Sequence, residues 1–178
     1  MKKILFIGLF LIAVKAPAQI ISMEGIGALK LDMKVAELEK LLGQKIPLKY
    51  VLMEDIYYDD TIKVKYKNVN YTLYISKQST VDPDKFDYIL HGLKTSSPLC
   101  KTSGGIGIGA DKIRIVNGFE DHQVRIDPDY IDDTYTARSK TMLSIYVYDN
   151  FTDRAIIFRM KNKKVVEIEL NVFSDDAE

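Results

Sequence analysis

Three stretches of this chain hold the side chains and spacings that chemistry would use. Gly104-Gly105-Ile106-Gly107-Ile108-Gly109-Ala110 is glycine-rich, and Gly105, Gly107 and Ala110 fall at the spacing of a loose dinucleotide loop. Asp127 and Asp129 follow about twenty residues on, where such a loop has its ribose-binding acid. That chemistry needs a strand before the loop and a full helix after it, so that backbone amides converge on phosphate. Here Ser96-Ser97-Pro98 and Thr102-Ser103 precede the glycines, and Gly118 cuts the next helix short. The glycines are therefore expected to begin a strand, and no cofactor is expected. Acidic residues crowd Asp82-Pro83-Asp84-Lys85-Phe86-Asp87 and Asp127-Pro128-Asp129-Tyr130-Ile131-Asp132-Asp133. Calcium takes several oxygen ligands from such loops. Ile131 stands where a third ligand belongs, and Asp-Pro starts turns without metal, so solvated turns are expected and no metal site. Asp55, Asp59 and Asp60 flank Tyr57-Tyr58; a glycosidase pair needs two carboxylates at a fixed separation, and these read as surface acids.

Cys100 is the only cysteine. A thiol nucleophile needs a base, and neither His91 nor His122 is tied to it by spacing. Cys100 reads as a small buried apolar residue. His91 alternates with Ile89 and Leu93 on a strand, while His122 sits in polar Glu120-Asp121-His122-Gln123, which reads as a wet loop. The histidines lack zinc spacing, and there is no Gly-x-Ser-x-Gly. No catalytic residue is assigned, and the chain is not expected to be an enzyme.

The positive candidate is a sheet face. Ile156, Phe158 and Met160 alternate with Ile157, Arg159 and Lys161. Val166, Ile168, Leu170 and Val172 alternate with Glu167, Glu169 and Asn171. Leu143, Ile145 and Val147 leave Tyr146 and Tyr148 on a second face, as Lys63, Lys65, Thr72 and Tyr74 do earlier in the chain. Side chains two apart on a strand share a face. Tyr and Arg most often anchor protein interfaces. Tyr74, Tyr146, Tyr148, Arg159, Glu167 and Glu169 are therefore the candidate protein-binding residues.

The elements that position them show an internal likeness. Leu31 matches Ile108 and Leu38 matches Ile115, in Leu29–Gly43 and Ile106–Phe119. Each segment opens as a short strand and continues as a short helix. In the first, Asp32 is expected to cap the helix, Val35, Leu38, Leu41 and Leu42 form its stripe, and Gly43 ends it. Strand patterns follow over Ile62–Tyr66, Tyr71–Ile75, Tyr88–Lys94, Leu143–Tyr148, Ile156–Lys161 and Val165–Phe173. Lys67-Asn68 and Asn162-Lys163 suit tight hairpin turns. Gln78–Asp87 and Asp127–Lys140 read as polar loops. The expected fold is α+β in two related halves, 19–98 and 99–178, each a short helical segment packed on about three to four antiparallel strands.

Residues 1–18 read as a secretory signal. Met1-Lys2-Lys3 is basic, Ile4–Val14 is apolar, and Ala16-Pro17-Ala18 places the cut after Ala18. The apolar run is too short for a membrane span, which needs about twenty residues. Gln19, not Cys, follows the cut, so no lipid anchor is expected. The protein is expected to be periplasmic or secreted, without a stable membrane anchor. Of 25 basic side chains, Lys2, Lys3 and Lys15 precede the cut, leaving 22 against 25 acidic. That balance disfavours nucleic acid as a partner. Eleven Tyr and seven Phe without Trp suit a strand-rich chain.

Leu29-x-Leu31-x-Met33-x-x-x-Glu37-x-x-x-Leu41-Leu42-Gly43 resembles the opening of SmpA/OmlA-like domains. The tandem arrangement resembles beta-lactamase inhibitory proteins. Asp32 stands where the family has Gly, and Glu120 replaces the Gly expected after the second helix. The resemblance implies helices packed on antiparallel sheet and a role in binding proteins. The expectation is a non-catalytic protein-binding module of the bacterial cell envelope, whose partner is another envelope or secreted protein. The alternatives are an inhibitor or immunity protein that blocks an exported enzyme, and an envelope carbohydrate hydrolase.

Overall fold

The computed structural model describes residues 18–48, 60–79, 82, 85–130 and 137–173. The signal segment up to Pro17, the Asp55–Asp59 cluster, Asp84 and the Ile131–Asp133 end of the second acidic run lie outside them. In chain order the elements are β1 (Gln19–Ser22), β2 (Gly25–Ile26), β3 (Leu29–Lys30), α1 (Val35–Leu42), β4 (Asp60–Tyr66), β5 (Val69–Ser79), β6 (Phe86–Thr95) and β7 (Cys100–Thr102). Then come α2 (Lys112–Gly118), β8 (Gln123–Tyr130), β9 (Arg138–Tyr148), β10 (Arg154–Lys161) and β11 (Lys164–Val172).

These strands form two sheets. One has seven strands in the order β4-β5-β6-β11-β10-β9-β8, antiparallel throughout. The other has four short strands, β3-β2-β1-β7, with β1 and β7 parallel. Strand accounts for 57% of the described residues and helix for 11%. This corrects the expected α+β fold of two helix-plus-sheet halves: the protein is mostly β, largely a sandwich of two sheets. The physical reason is length. At eight and seven residues, α1 and α2 are too short to cover a sheet face. Each contributes one fully buried side chain, Leu38 or Ile115. The small sheet covers the rest through Ile21, Ile26 and Leu29, which share one core with Leu73, Leu93, Ile145, Phe158, Ile168 and Leu170 of the large sheet.

Period-two patterning explains the large sheet. Even-numbered Ile62 and Val64 of β4 and odd-numbered Val69 to Ile75 of β5 face the core. The turns Lys67-Asn68 and Asn162-Lys163 have both central residues in the left-handed region, at φ 46°, 63°, 51° and 67°, which matches the twist of tight antiparallel hairpins. Besides an irregularity after Pro128 on the edge strand β8, two bulges among the described strands reset the alternation. One lies where β5 meets β6, after Tyr74, and leaves His91 as the extra residue. The other lies between Arg159 and Met160, so that Val165 is buried and Val166 is exposed; the expected core position of Val166 is taken by Val165.

The starts of both helices dock on the central strands beyond the stretch where β6 and β11 pair. Asp32 N–H donates to Leu90 O and Leu90 N–H to Met33 O, at 2.8 and 2.9 Å. Gly109 N–H donates to Val165 O and Val165 N–H to Ala110 O, both at 2.9 Å. Asp32 does not cap α1: it sits in the left-handed region at φ 63°, and Lys34 holds the cap position without a side-chain bond. The Asp32 carboxylate instead accepts from Arg154 Nη2 across the molecule. Gly43 ends α1 at φ 67°, as its type allows.

Candidate functional site

One face of the seven-stranded sheet is the core side. The strand register builds the other face row by row. Lys63, Thr72, Lys94, Glu169, Ile157, Tyr146 and Arg125 stand opposite one another across all seven strands. The next row runs Thr61, Tyr74, Gly92, Asn171, Ala155, Tyr148 and Gln123. Glu167, Arg159, Ser144 and Asp127 belong to a third. All of the candidate residues Tyr74, Tyr146, Tyr148, Arg159, Glu167 and Glu169 therefore lie on this one outer face.

The face has an aromatic end. The Tyr146 and Tyr148 rings stack at 6.2 Å and 13°, as residues two apart on β9 can. Phe173, just past β11, closes on both rings at 6.5 and 5.8 Å. The Arg125 guanidinium lies 4.7 Å from the Tyr146 ring centre and 5.5 Å from that of Tyr148, within reach of a cation–π attraction. Beneath them Ile157 and Ala155 are buried. Burial pushes the Tyr148 hydroxyl pKa up, against the opposing pull of Arg125. The cluster is thus a preformed ledge whose rings already gave up their freedom on folding.

Charges are fixed at the centre. Arg159 Nε and Nη2 both donate to Glu169 Oε2, at 3.0 and 2.9 Å. The bulge on β11 brings Glu167 directly opposite Arg159 as well, with Oε1 at 3.6 Å from Nε. Lys94 Nζ reaches the same Glu167 oxygen at 3.5 Å. Burial opposes the charge on Arg159, and the Glu169 carboxylate outweighs it, holding the pKa above its ordinary value. Burial likewise opposes the charge on Lys94, which the Tyr74 hydroxyl and Glu167 more than offset. Tyr74 lies over Gly92, where a Cβ would meet its Cδ2 at 3.2 Å and Asn171 Oδ1 at 3.0 Å. Gly92 is what allows the ring to lie against the sheet.

Two members of this face were missed in the sequence. Arg125 belongs to β8, but Asp127–Lys140 reads as a loop because of its acids and Pro128. The strand was signalled by Val124 and Ile126 alternating with Gln123, Arg125 and Asp127. Pro128 is tolerated because β8 is an edge strand. Phe173 follows the last strand, and only the fold shows it turning back over Tyr146. The first half of the acidic run is likewise structural: Asp127 pairs with Arg125 at 2.8 Å, and Asp129 Oδ1 accepts from Ser144 Oγ at 2.8 Å.

The glycine-rich segment is built for close approach of chains. Gly107 bridges to Lys101, and a Cβ there would sit 2.7 Å from Cys100 O. The helix that follows has seven residues and is capped by Asp111, whose Oδ1 accepts from Arg114 N–H at 2.9 Å. Cys100 is buried, with its Sγ 3.8 Å from the Tyr71 hydroxyl, and burial raises its pKa. His122 is not in a wet loop: it is half-buried edge-on to Phe119 at 5.5 Å. Among the described residues, no group of three or more His, Cys, Asp or Glu side chains converges as a metal site. No described helix is long and apolar enough to cross a membrane.

Comparison with protein-family models, with curated proteins and with solved structures finds no match to this chain.

Proposed function

We propose that this chain is a non-catalytic, exported binding module of the bacterial cell envelope, and that it holds another protein on the aromatic end of its outer sheet face. The observation that carries this reading is the ledge of Tyr146, Tyr148, Phe173 and Arg125 beside the fixed Arg159–Glu169 pair. Interfaces draw their affinity from a few ordered aromatic and arginine side chains that lose little entropy on binding. Export is supported by the basic start, the short apolar run and the Ala16-x-Ala18 end of the N-terminal segment.

The test is capture from an envelope extract with the purified mature chain, compared with the Tyr146→Ala/Tyr148→Ala variant. A partner retained by the wild type should be lost from the variant, whose far-ultraviolet circular dichroism should be unchanged. Equal capture by both chains refutes the ledge as the binding surface.

A further inference from the structure

The opposite end of the same face holds a second feature, independent of the aromatic ledge. A cavity of about 660 Å³ lies over β4, β5 and the end of β6, and Lys63, Lys65 and Lys94 line it together with a single carboxylate, Glu167. We propose that this cavity is a binding site for an anionic saccharide, a sugar that carries carboxylate or phosphate.

The charge balance points to an anion. Glu167 is already engaged by Lys94 at 3.5 Å and by Arg159 at 3.6 Å, while Glu169 is engaged by Arg159. Neither Lys63 nor Lys65 has an ion pair with a described residue, so among the described residues two positive charges stand without a counter-charge. The sheet fixes where they stand. Lys63 and Lys65 are two residues apart on β4, about 7 Å along the strand. Lys63, Thr72 and Lys94 are opposite one another on adjacent strands, which puts Lys63 and Lys94 about 10 Å apart. Long ammonium side chains on such a triangle can close on one small anion from three sides.

The rest of the lining points to a sugar. Asn68, Asn70 and Thr72 come from the β4–β5 hairpin, and Ser96 and Ser97 from the segment after β6. These amides and hydroxyls both donate and accept, as a ring of sugar hydroxyls requires. Their frame is held in place: Thr95 Oγ1 donates to Asn70 O at 2.8 Å and accepts from Ser97 N–H at 3.2 Å. The one aromatic ring in the lining, Tyr71, is buried, so a nucleobase has no ring to stack on. The volume falls in the range of small-ligand sites.

The experiment is isothermal titration calorimetry on the mature chain with digalacturonate, a glucose phosphate, galactobiose and inorganic phosphate. One or both anionic sugars should bind, more weakly as salt rises, and the one that binds identifies the charged group. Lys63→Gln with Lys65→Gln should weaken it by about tenfold or more. Lys101→Gln, an exposed lysine outside the cavity, should leave it unchanged. The proposal is overturned if neither anionic sugar gives heat, if galactobiose binds as well, if inorganic phosphate alone binds equally, or if the double variant binds as the wild type does. None of these outcomes bears on the Tyr146–Tyr148 ledge, which has its own assay.

Discussion

The Arg159–Glu169 pair makes an asymmetric prediction. The Glu169 side chain is 9% exposed and that of Arg159 is 37%. Replacing Arg159 by Met keeps the aliphatic stem but strips the carboxylate of both of its guanidinium bonds. A buried charge that loses its partner costs about 3–5 kcal/mol. Lys94 lies close enough to repay part of this, so about 3 kcal/mol is expected. Glu169→Leu is milder. Arg159 still has Glu167 at 3.6 Å and water on one side, and an exposed ion pair is worth about 1 kcal/mol or less. Arg159→Met with Glu169→Leu removes both charges and should cost no more than about 1 kcal/mol, because apolar replacement of a buried pair is often neutral. The three variants should thus be non-additive by about 3 kcal/mol. Urea unfolding followed by circular dichroism reads this directly. With a slope of about 2 kcal/mol per molar, Arg159→Met should lower the midpoint by about 1.5 M. Equal shifts for the two single variants, or a double variant equal to their sum, would refute the claim that Glu169 is a buried carboxylate held by Arg159.

Gly107→Ala should destabilise by about 1–3 kcal/mol, since its Cβ would stand 2.7 Å from Cys100 O, whereas Gly104→Ala, with its nearest atom at 3.8 Å, should be near neutral in the same unfolding assay. Burial raises the pKa values of Tyr71 and Cys100. The unfolded chain therefore releases these protons at lower pH than the folded one, so stability is intact below the unfolded values, about 8.5 for Cys and about 10 for Tyr, and falls as pH climbs past them. Tyr71→Phe should remove about 1.4 kcal/mol per pH unit from that loss above pH 10 or so; identical alkaline profiles for the variant and wild type would show that Tyr71 does not titrate on unfolding.

The sheet face was legible because a period of two is a local signal. Tyr146 and Tyr148, Glu167 and Glu169 need only their own strands to be assigned to one side. The left-handed turns at Lys67-Asn68 and Asn162-Lys163 were legible for the same reason. The layer architecture was not. The stripe Val35, Leu38, Leu41 and Leu42 and the matching Ile115 suggested short helices as the layer packed on the sheet, but helix length is set by where backbone capping stops it, and tertiary pairing claimed Asp32 and Gly109 for the sheet instead. The small sheet was illegible because β1 and β7 meet across some eighty residues of chain, as Gln19 opposite Cys100 shows. The lysine cavity was hidden too. Lys94 reaches Lys63 only through a register that no single strand specifies, and the bulge that leaves out His91 sets it.

The position of β11 carries a consequence for how this protein is made. The strand that joins the two meanders, between β6 and β10, is the last of the described strands in sequence order. During synthesis, β6 and β10 each keep an open edge until Lys164–Val172 has emerged. The joining contacts, such as Gly92 with Asn171, span most of the second half of the sequence, so they form late and slowly. The arrangement is a timer: the seven-stranded sheet cannot close while the nine residues of β11 are still inside the ribosome.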